Sequence, residues 1–111
     1  MACLFCSIVA GDIPAEVVLR TDEVVAFRDI DPKAPTHILV VPVAHFENVD
    51  ALSSEEPAAA AAVLQAAAEV ARIEGLDGYR LVFNTGAEAG QSVFHVHGHV
   101  LGGRSLTWPP G

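Results

Sequence analysis

Phe94-His95-Val96-His97-Gly98-His99-Val100-Leu101 is the stretch from which the fold of this chain can be read. Histidine alternates in it with valine or glycine, which is the period of two that a β-strand shows, and we predict a strand from Phe94 to Leu101. Because alternate side chains of a strand share a face, the three imidazoles are expected in a row, at intervals of roughly 6–7 Å. A strand with three imidazoles on one face is therefore expected to end the fold.

The segments before this strand predict a short helix, three strands, a long helix and one further strand. Phe5, Ile8 and Val9 recur at helical spacing, and Gly11-Asp12 closes that first turn. The predicted strands cover residues 17–19, 24–27, 37–42 and 79–83, and the third of these is almost wholly apolar. Short links between consecutive strands indicate antiparallel pairing.

The long helix is predicted from the neighbourhood of Ser53 to Ile73. Ser53 and Glu56 have the spacing of a capping box, and Pro57 is tolerated in a first helical turn. Strong helix formers follow, and Gly75 is the expected stop. With this helix packed on one face of a five-stranded antiparallel sheet, the fold class is α+β, with one long and one short helix.

Composition predicts one compact domain, residues 1–111. Hydrophobic residues make up 51% of the chain and charged residues 18%, which is typical of a globule. Six basic and 14 acidic residues give a net charge of −8, so polymeric nucleic acid is not an expected partner, whereas one nucleotide is. The sequence shows neither a secretory signal nor a membrane-spanning run, and we expect a cytoplasmic protein.

A glycine-bearing loop, residues 84–92, leads directly into the histidines. Its glycines allow backbone N–H groups to converge on an anion, although such loops are more often plain turns. Neutral histidine can attack phosphorus, and a neighbouring histidine can hold the phosphate or protonate the leaving group. The alternative is that one or two of the histidines are hydrogen-bonded polar residues beside a metal.

Several other polar residues each allow two interpretations, one functional and one purely structural. Cys3 and Cys6 form a C-x2-C pair that predicts a metal site, completed by His45 and one of the strand histidines, or else two free thiols. His37 either orients a catalytic imidazole or is an interior histidine whose nitrogens are satisfied. Asp29 and Asp31 either accept a ribose hydroxyl or are solvated turn residues.

Taken together, these residues resemble the histidine-triad (HIT) nucleotide-binding family, and in particular its Hint branch. The resemblance covers essentially the whole chain. The histidine pattern with its glycine loop is a specific signal, and the Trp-Pro-Pro-Gly ending is more specific still. Its markers are Phe27-Arg28-Asp29-Ile30, Ala34-Pro35-Thr36-His37, the segment 89–104, and Trp108-Pro109-Pro110-Gly111.

The resemblance implies a purine nucleoside phosphoramidase that forms a nucleotidyl intermediate on His97, with His99 as its catalytic helper. AMP or GMP would be the bound nucleotide. The resemblance also implies a homodimer with one continuous sheet, whose C-terminal tail, with Trp108, reaches toward the partner's site. The implied nucleotide contacts are Asn84, Gly90, Ser92 and His99 on phosphate, Asp29 on ribose, and Phe5 and Ile30 near the base.

Cys3, Cys6, His45 and His95 match a zinc pattern of some bacterial HIT proteins, whereas the tail is typical of a branch that usually lacks it. We expect structural zinc, and neither a catalytic metal nor an organic cofactor. Two alternatives for the function stay open. One is a dinucleoside polyphosphate hydrolase like the Fhit branch, and the other is a zinc-stabilised nucleotide-binding or interaction module with incidental turnover.

Overall fold

The computed structural model describes residues 3–111 and has three α-helices and five strands in that part of the chain. The α+β class is confirmed. In chain order the elements are α1 (Leu4–Ala10), β1 (Val17–Arg20), β2 (Val24–Arg28), β3 (Thr36–Pro42), α2 (Val49–Glu55), α3 (Pro57–Ile73), β4 (Tyr79–Phe83), a 3-10 turn (Ala87–Ala89) and β5 (Gly98–Gly102).

The five strands form one antiparallel sheet in the order β1-β2-β3-β5-β4. All seven residues of the central strand β3 are buried, because α3 covers one face of the sheet and α1 packs on the other. The near-continuous apolar run of β3 follows from this two-sided burial. On the α1 side, Phe5 meets Phe27 edge to face, with ring centroids 5.5 Å apart.

The expected start of the long helix is wrong, and a third helix, α2, lies before it. The Asn48 side chain accepts the N–H of Ala51 and caps α2. Ser53 lies inside this helix, where its hydroxyl donates to the carbonyl of Asp50, so the capping box with Glu56 does not form. The long helix α3 begins only at Pro57, whereas α2 begins at Val49 and buries Leu52 in the core under α3.

The expected start of the last strand is also wrong, since β5 begins at Gly98 and not at Phe94. Pairing with β4 ends at Phe83 opposite Gly98. Val96 lies before β5, in a loop, and its N–H donates to the carbonyl of Phe46 and not to a neighbouring strand. Val96 still packs into the core beneath α3, so the histidines on either side of it face the α1 side of the sheet.

Glycine at position 98 has a packing reason. A Cβ there would lie 2.8 Å from Cζ of Phe83 and 3.0 Å from Cδ1 of Leu81, closer than carbon atoms can approach. Gly98 thus lets the Phe83 ring cover the backbone between His97 and His99. In residues 3–111, no helix has the length and apolar character needed to cross a membrane.

We predict that Asn48→Ala lowers the free energy of unfolding by about 1 kcal/mol, because the first turn of α2 loses its side-chain cap. Ser53→Ala is the matched control and should change stability by less than about 0.5 kcal/mol. Urea denaturation of both variants measures the two values. A larger loss for Ser53→Ala than for Asn48→Ala would contradict the capping assignment.

Candidate active site

Four side chains from distant parts of the chain converge beside α1: Cys3, Cys6, His45 and His95. The Nδ1 atom of His95 lies 3.5 Å from each of the two sulfurs and 3.2 Å from Nδ1 of His45. The Cys6 sulfur lies 3.6 Å from Nδ1 of His45. These donor atoms all lie within 4.8 Å of one another, so the cluster can hold a metal ion.

The spacing of this cluster fits a tetrahedral ion. Zinc bound at roughly 2.0–2.3 Å to nitrogen and sulfur separates its ligands by about 3.3–3.8 Å. The tautomer of His95 also fits, because its Nε2–H donates to the carbonyl of Pro42, 2.9 Å away, and leaves the Nδ1 lone pair toward the cluster. Burial lowers the pKa of His95, which keeps this ring neutral, as a ligand must be.

His97 presents one free lone pair. Its Nδ1–H donates to the carbonyl of His95 over 2.8 Å, which leaves Nε2 unprotonated in the neutral ring. Burial lowers the pKa of His97, and the ring of Phe5 packs edge to face against it at 4.9 Å. The geometry therefore gives His97 the state that a nucleophilic imidazole requires.

His99 has the opposite tautomer, because His37 fixes it. The N–H of Lys33 donates to Nδ1 of His37 over 3.0 Å, so His37 carries its proton on Nε2 and donates it to Nδ1 of His99, 2.9 Å away. The proton of His99 is then on Nε2, a buried atom with no hydrogen-bond partner in residues 3–111. His99 thus offers an N–H donor, and its ring centroid lies 4.9 Å from that of His97.

A cavity of about 300 Å³ opens beside His99, and its polar lining includes Asp29, His37 and Asn84. The carboxylate of Asp29 lies 3.5 Å from Nε2 of His37. Gly90 has φ 97°, and a Cβ there would lie 3.9 Å from the Asn84 amide nitrogen, so the glycine loop adjoins this cavity. The structure thus brings together four of the expected residues, Asp29, Asn84, Gly90 and His99. His37 is an interior histidine with both nitrogens hydrogen-bonded, and one of these bonds orients the imidazole of His99.

The other expected site residues lie further apart. Phe5 is buried against His97, whereas Ile30 is fully exposed next to Asp29. Ser92 lines a separate groove near Cys3 and His45. Trp108 is 79% exposed on the C-terminal tail, where the guanidinium of Arg80 lies 5.8 Å from its ring centroid.

A larger cavity, about 720 Å³, does not coincide with this chemistry. It lies between the turn at Gly75–Gly78 and the tail, beside Arg80 and Arg104. Both guanidiniums donate to backbone carbonyls, those of Thr107, Ser105 and Lys33. The buried histidines with fixed tautomers mark the candidate active site more specifically than cavity volume does.

Gln91 is a site residue that sequence reasoning missed. Its side-chain oxygen accepts the N–H of Gly86, and its amide nitrogen donates to the carbonyls of Glu47 and Val93. It is 4% exposed and ties the glycine loop to the segment that carries His45. Nothing in the local pattern distinguishes this buried glutamine from a solvated one, since its partner Glu47 is 44 residues away in the sequence.

Comparison with known proteins gives the family. The model of the HIT domain family matches residues 10–106. The chain belongs to the HIT family. The resemblance inferred from its histidines and glycine loop is therefore confirmed.

Named relatives of this HIT protein cover almost its whole length. It is 45% identical over 105 residues to the purine nucleoside phosphoramidase of Escherichia coli, covering 93% of this chain and 88% of that one. An uncharacterized HIT-like protein of Synechococcus elongatus is 46% identical over 97% of this chain and 96% of its own. A HIT family hydrolase of Legionella pneumophila has the same fold, with a TM-score of 0.95, 47% identity, and coverage of 99% of this chain and 100% of that one.

The buried state of His99 predicts a pH-dependent contribution to stability. Burial, followed by the charges of His97 and His37, lowers the pKa of His99 to about 4, against about 6.5 in an unfolded chain. Between these values only the unfolded chain binds the proton, so stability falls as the pH drops from about 6.5 to 4. Unlike wild type, His99→Gln lacks this titration.

Denaturation of both proteins at pH 7.5 and pH 5 measures this effect. The difference in unfolding free energy between wild type and His99→Gln should shift against wild type at pH 5. Taking the difference between the two proteins cancels the other histidines, which both retain. An identical difference at both pH values would show that His99 is not held neutral in the folded state.

Proposed function

We propose that this HIT protein is a hydrolase that cleaves the P–N bond of purine nucleoside phosphoramidates. One observation carries the proposal: the ring of His97, with a free Nε2 lone pair, lies 4.9 Å between centroids from that of His99, whose Nε2–H has no partner in residues 3–111, and hydrogen bonds fix both tautomers. A nucleophile beside a donor is the arrangement that phosphoryl-group transfer needs. The identity to a purine nucleoside phosphoramidase supports the substrate class.

In the first step, the His97 Nε2 lone pair forms a bond to phosphorus. The P–N bond to the amine breaks, and its electron pair stays on the amine nitrogen, which takes up a proton from solvent water. The Nε2–H of His99 donates to a phosphate oxygen, on which negative charge accumulates. In the second step, water attacks phosphorus and releases a proton to solvent, the bond to His97 breaks, and its electron pair returns to Nε2. The products are a nucleoside monophosphate and a free amine.

The residues in and around the cavity beside His99 are assigned contacts with the nucleotide. We propose that Asp29 accepts a ribose hydroxyl and that Asn84 and the loop at Gly90 hold the phosphate, since all three adjoin the donor of His99. Ser92 would contact the phosphate from its other side. Phe5 and Ile30 would flank the purine of AMP or GMP, because Phe5 packs on the nucleophile and the exposed Ile30 follows Asp29.

We further propose that residues 1–111 act as one domain within a homodimer whose sheet continues from one copy to the next. Trp108 supports this, because its ring is 79% exposed and the tail that bears it lies at the cavity around Gly103–Leu106, away from the histidines. A tryptophan exposed on such a tail is available to contact a second copy of the chain.

The proposed metal is structural zinc on Cys3, Cys6, His45 and His95, and no catalytic metal is invoked. A reducing cytoplasm would keep both thiols available as ligands. Bound zinc would supply a rigid tetrahedral link between α1 and the histidine segment. Because His95 also provides the carbonyl that accepts the Nδ1–H of His97, that link would hold the nucleophile's hydrogen-bond acceptor in place.

For the reaction, we predict that His97→Ala lowers the turnover of adenosine phosphoramidate by about 10⁴-fold or more, since the nucleophile is lost. Rapid quenching of the wild-type reaction and digestion should give a nucleotidylated peptide that contains His97. Gln65→Ala, on the exposed side of α3, is the control and should retain full turnover. Undiminished hydrolysis by His97→Ala would disprove the nucleophile assignment.

For the metal, we predict about one zinc per chain in protein purified without chelator, and far less in Cys6→Ser, which removes one thiolate ligand. Wild type should also lose thermal stability on addition of chelator, whereas Cys6→Ser should be insensitive to it. Ser7→Ala is a control for substitution in α1. Stoichiometric zinc retained by Cys6→Ser with unchanged stability would rule out this ligand set.

A further inference from the structure

The groove near Cys3 and His45 has a volume of about 630 Å³. His95, His97 and His99 form a row, here called the histidine row, and the groove lies at the end of it opposite to Asp29. Its walls are α1 and the segments around Glu47 and Val93. Leu4 and Phe94 are 48% and 47% exposed there, which leaves an apolar surface open to solvent. The lining residues are Cys3, Leu4, His45, Glu47, Ser92, Val93 and Phe94.

The groove adjoins the nucleophile through its chain neighbours. Leu4 faces it, and the next residue, Phe5, packs on the ring of His97 with centroids 4.9 Å apart. Its floor at Ser92 leads within five residues to His97. The histidine row therefore has a cavity at each end, with the nucleophile between them: the cavity of Asp29 and Asn84 at His99, and this groove beyond His95.

Glu47 gives the groove its charge. In residues 3–111 its carboxylate forms no ion pair, and neither lysine nor arginine is among the residues that line the groove. Its backbone is nevertheless fixed, because its carbonyl accepts the buried amide of Gln91 over 2.7 Å. The groove therefore combines an apolar surface with a negatively charged group on a held backbone.

We propose that this groove is the leaving-group subsite, and that Glu47 selects amines with an apolar chain that ends in a positive charge. This proposal rests on the proposed hydrolysis of phosphoramidates. If the nucleoside occupies the cavity beside His99, the group beyond the P–N bond needs a surface at the other end of the row. An aliphatic chain packs on Leu4 and Phe94, and a terminal ammonium is attracted to the carboxylate of Glu47.

Three adenosine phosphoramidates that differ only in the amine test the proposal: a five-carbon diamine, pentylamine and a five-carbon amino acid. At neutral pH and low ionic strength, wild type should prefer the diamine over pentylamine in kcat/KM by about two- to fivefold, the range of an exposed ion pair. Glu47→Gln should abolish this preference, and Glu47→Lys should shift it to the carboxylate. Because exposed charges are screened, added salt should weaken the wild-type preference.

Glu55→Lys is the matched control, because it makes the same change of charge at an exposed residue of α2 outside the groove. It should leave the wild-type order of the three substrates unchanged. If Glu47→Lys also leaves that order unchanged while all three substrates are hydrolysed, the subsite assignment is wrong and the proposed function survives. If wild type hydrolyses none of the three, both the function and the subsite fail.

Discussion

The hydrogen bond from Nδ1 of His97 to the carbonyl of His95 is the interaction on which the candidate site depends. His95 has three tasks: its Nε2–H is bonded to Pro42, its Nδ1 belongs to the metal-ligand cluster, and its carbonyl fixes the tautomer of His97. One residue thus joins the end of β3, the cluster and the proposed nucleophile. A displacement of its backbone would change all three at once.

The tautomer of His99 is also fixed by hydrogen bonds, which reach it from the other end of the site. The N–H of Lys33 sets the tautomer of His37, and His37 sets that of His99. In both cases the chain of hydrogen bonds ends on a backbone group, which has only one role as donor or acceptor. Two identical side chains therefore carry their protons on different nitrogens, one as a lone-pair donor and the other as an N–H donor.

Much of this arrangement could be predicted from the sequence because its periodicity is local. The alternation from His95 to His99 and the apolar run of β3 indicated the sheet correctly. The expected spacing of the imidazoles, roughly 6–7 Å in a regular strand, was wrong, because His95 and His97 precede β5 and the ring centroids of His97 and His99 are 4.9 Å apart. The start of β5 and the helix α2 were missed because both depend on distant partners: the carbonyl of Phe46 for Val96, and the core beneath α3 for Leu52. The role of Gln91 was missed for a related reason, since one of its three partners, the carbonyl of Glu47, is 44 residues away in the sequence.

Burial lowers the pKa values of His37, His95, His97 and His99 and keeps their rings neutral, in a chain whose net charge is −8. The cation that lines the cavity beside His99 is Lys33, and its ammonium pairs with Asp31. A phosphate there meets N–H dipoles instead of a free positive charge, so the ground state is bound without strong Coulomb attraction. Donors aimed at oxygens that gain charge during the reaction stabilise the transition state more than the substrate. In the proposed reaction, a nucleoside monophosphate product, which carries more charge than the phosphoramidate, would then leave a site at which the residues of 3–111 that line the cavity offer it no unpaired ammonium.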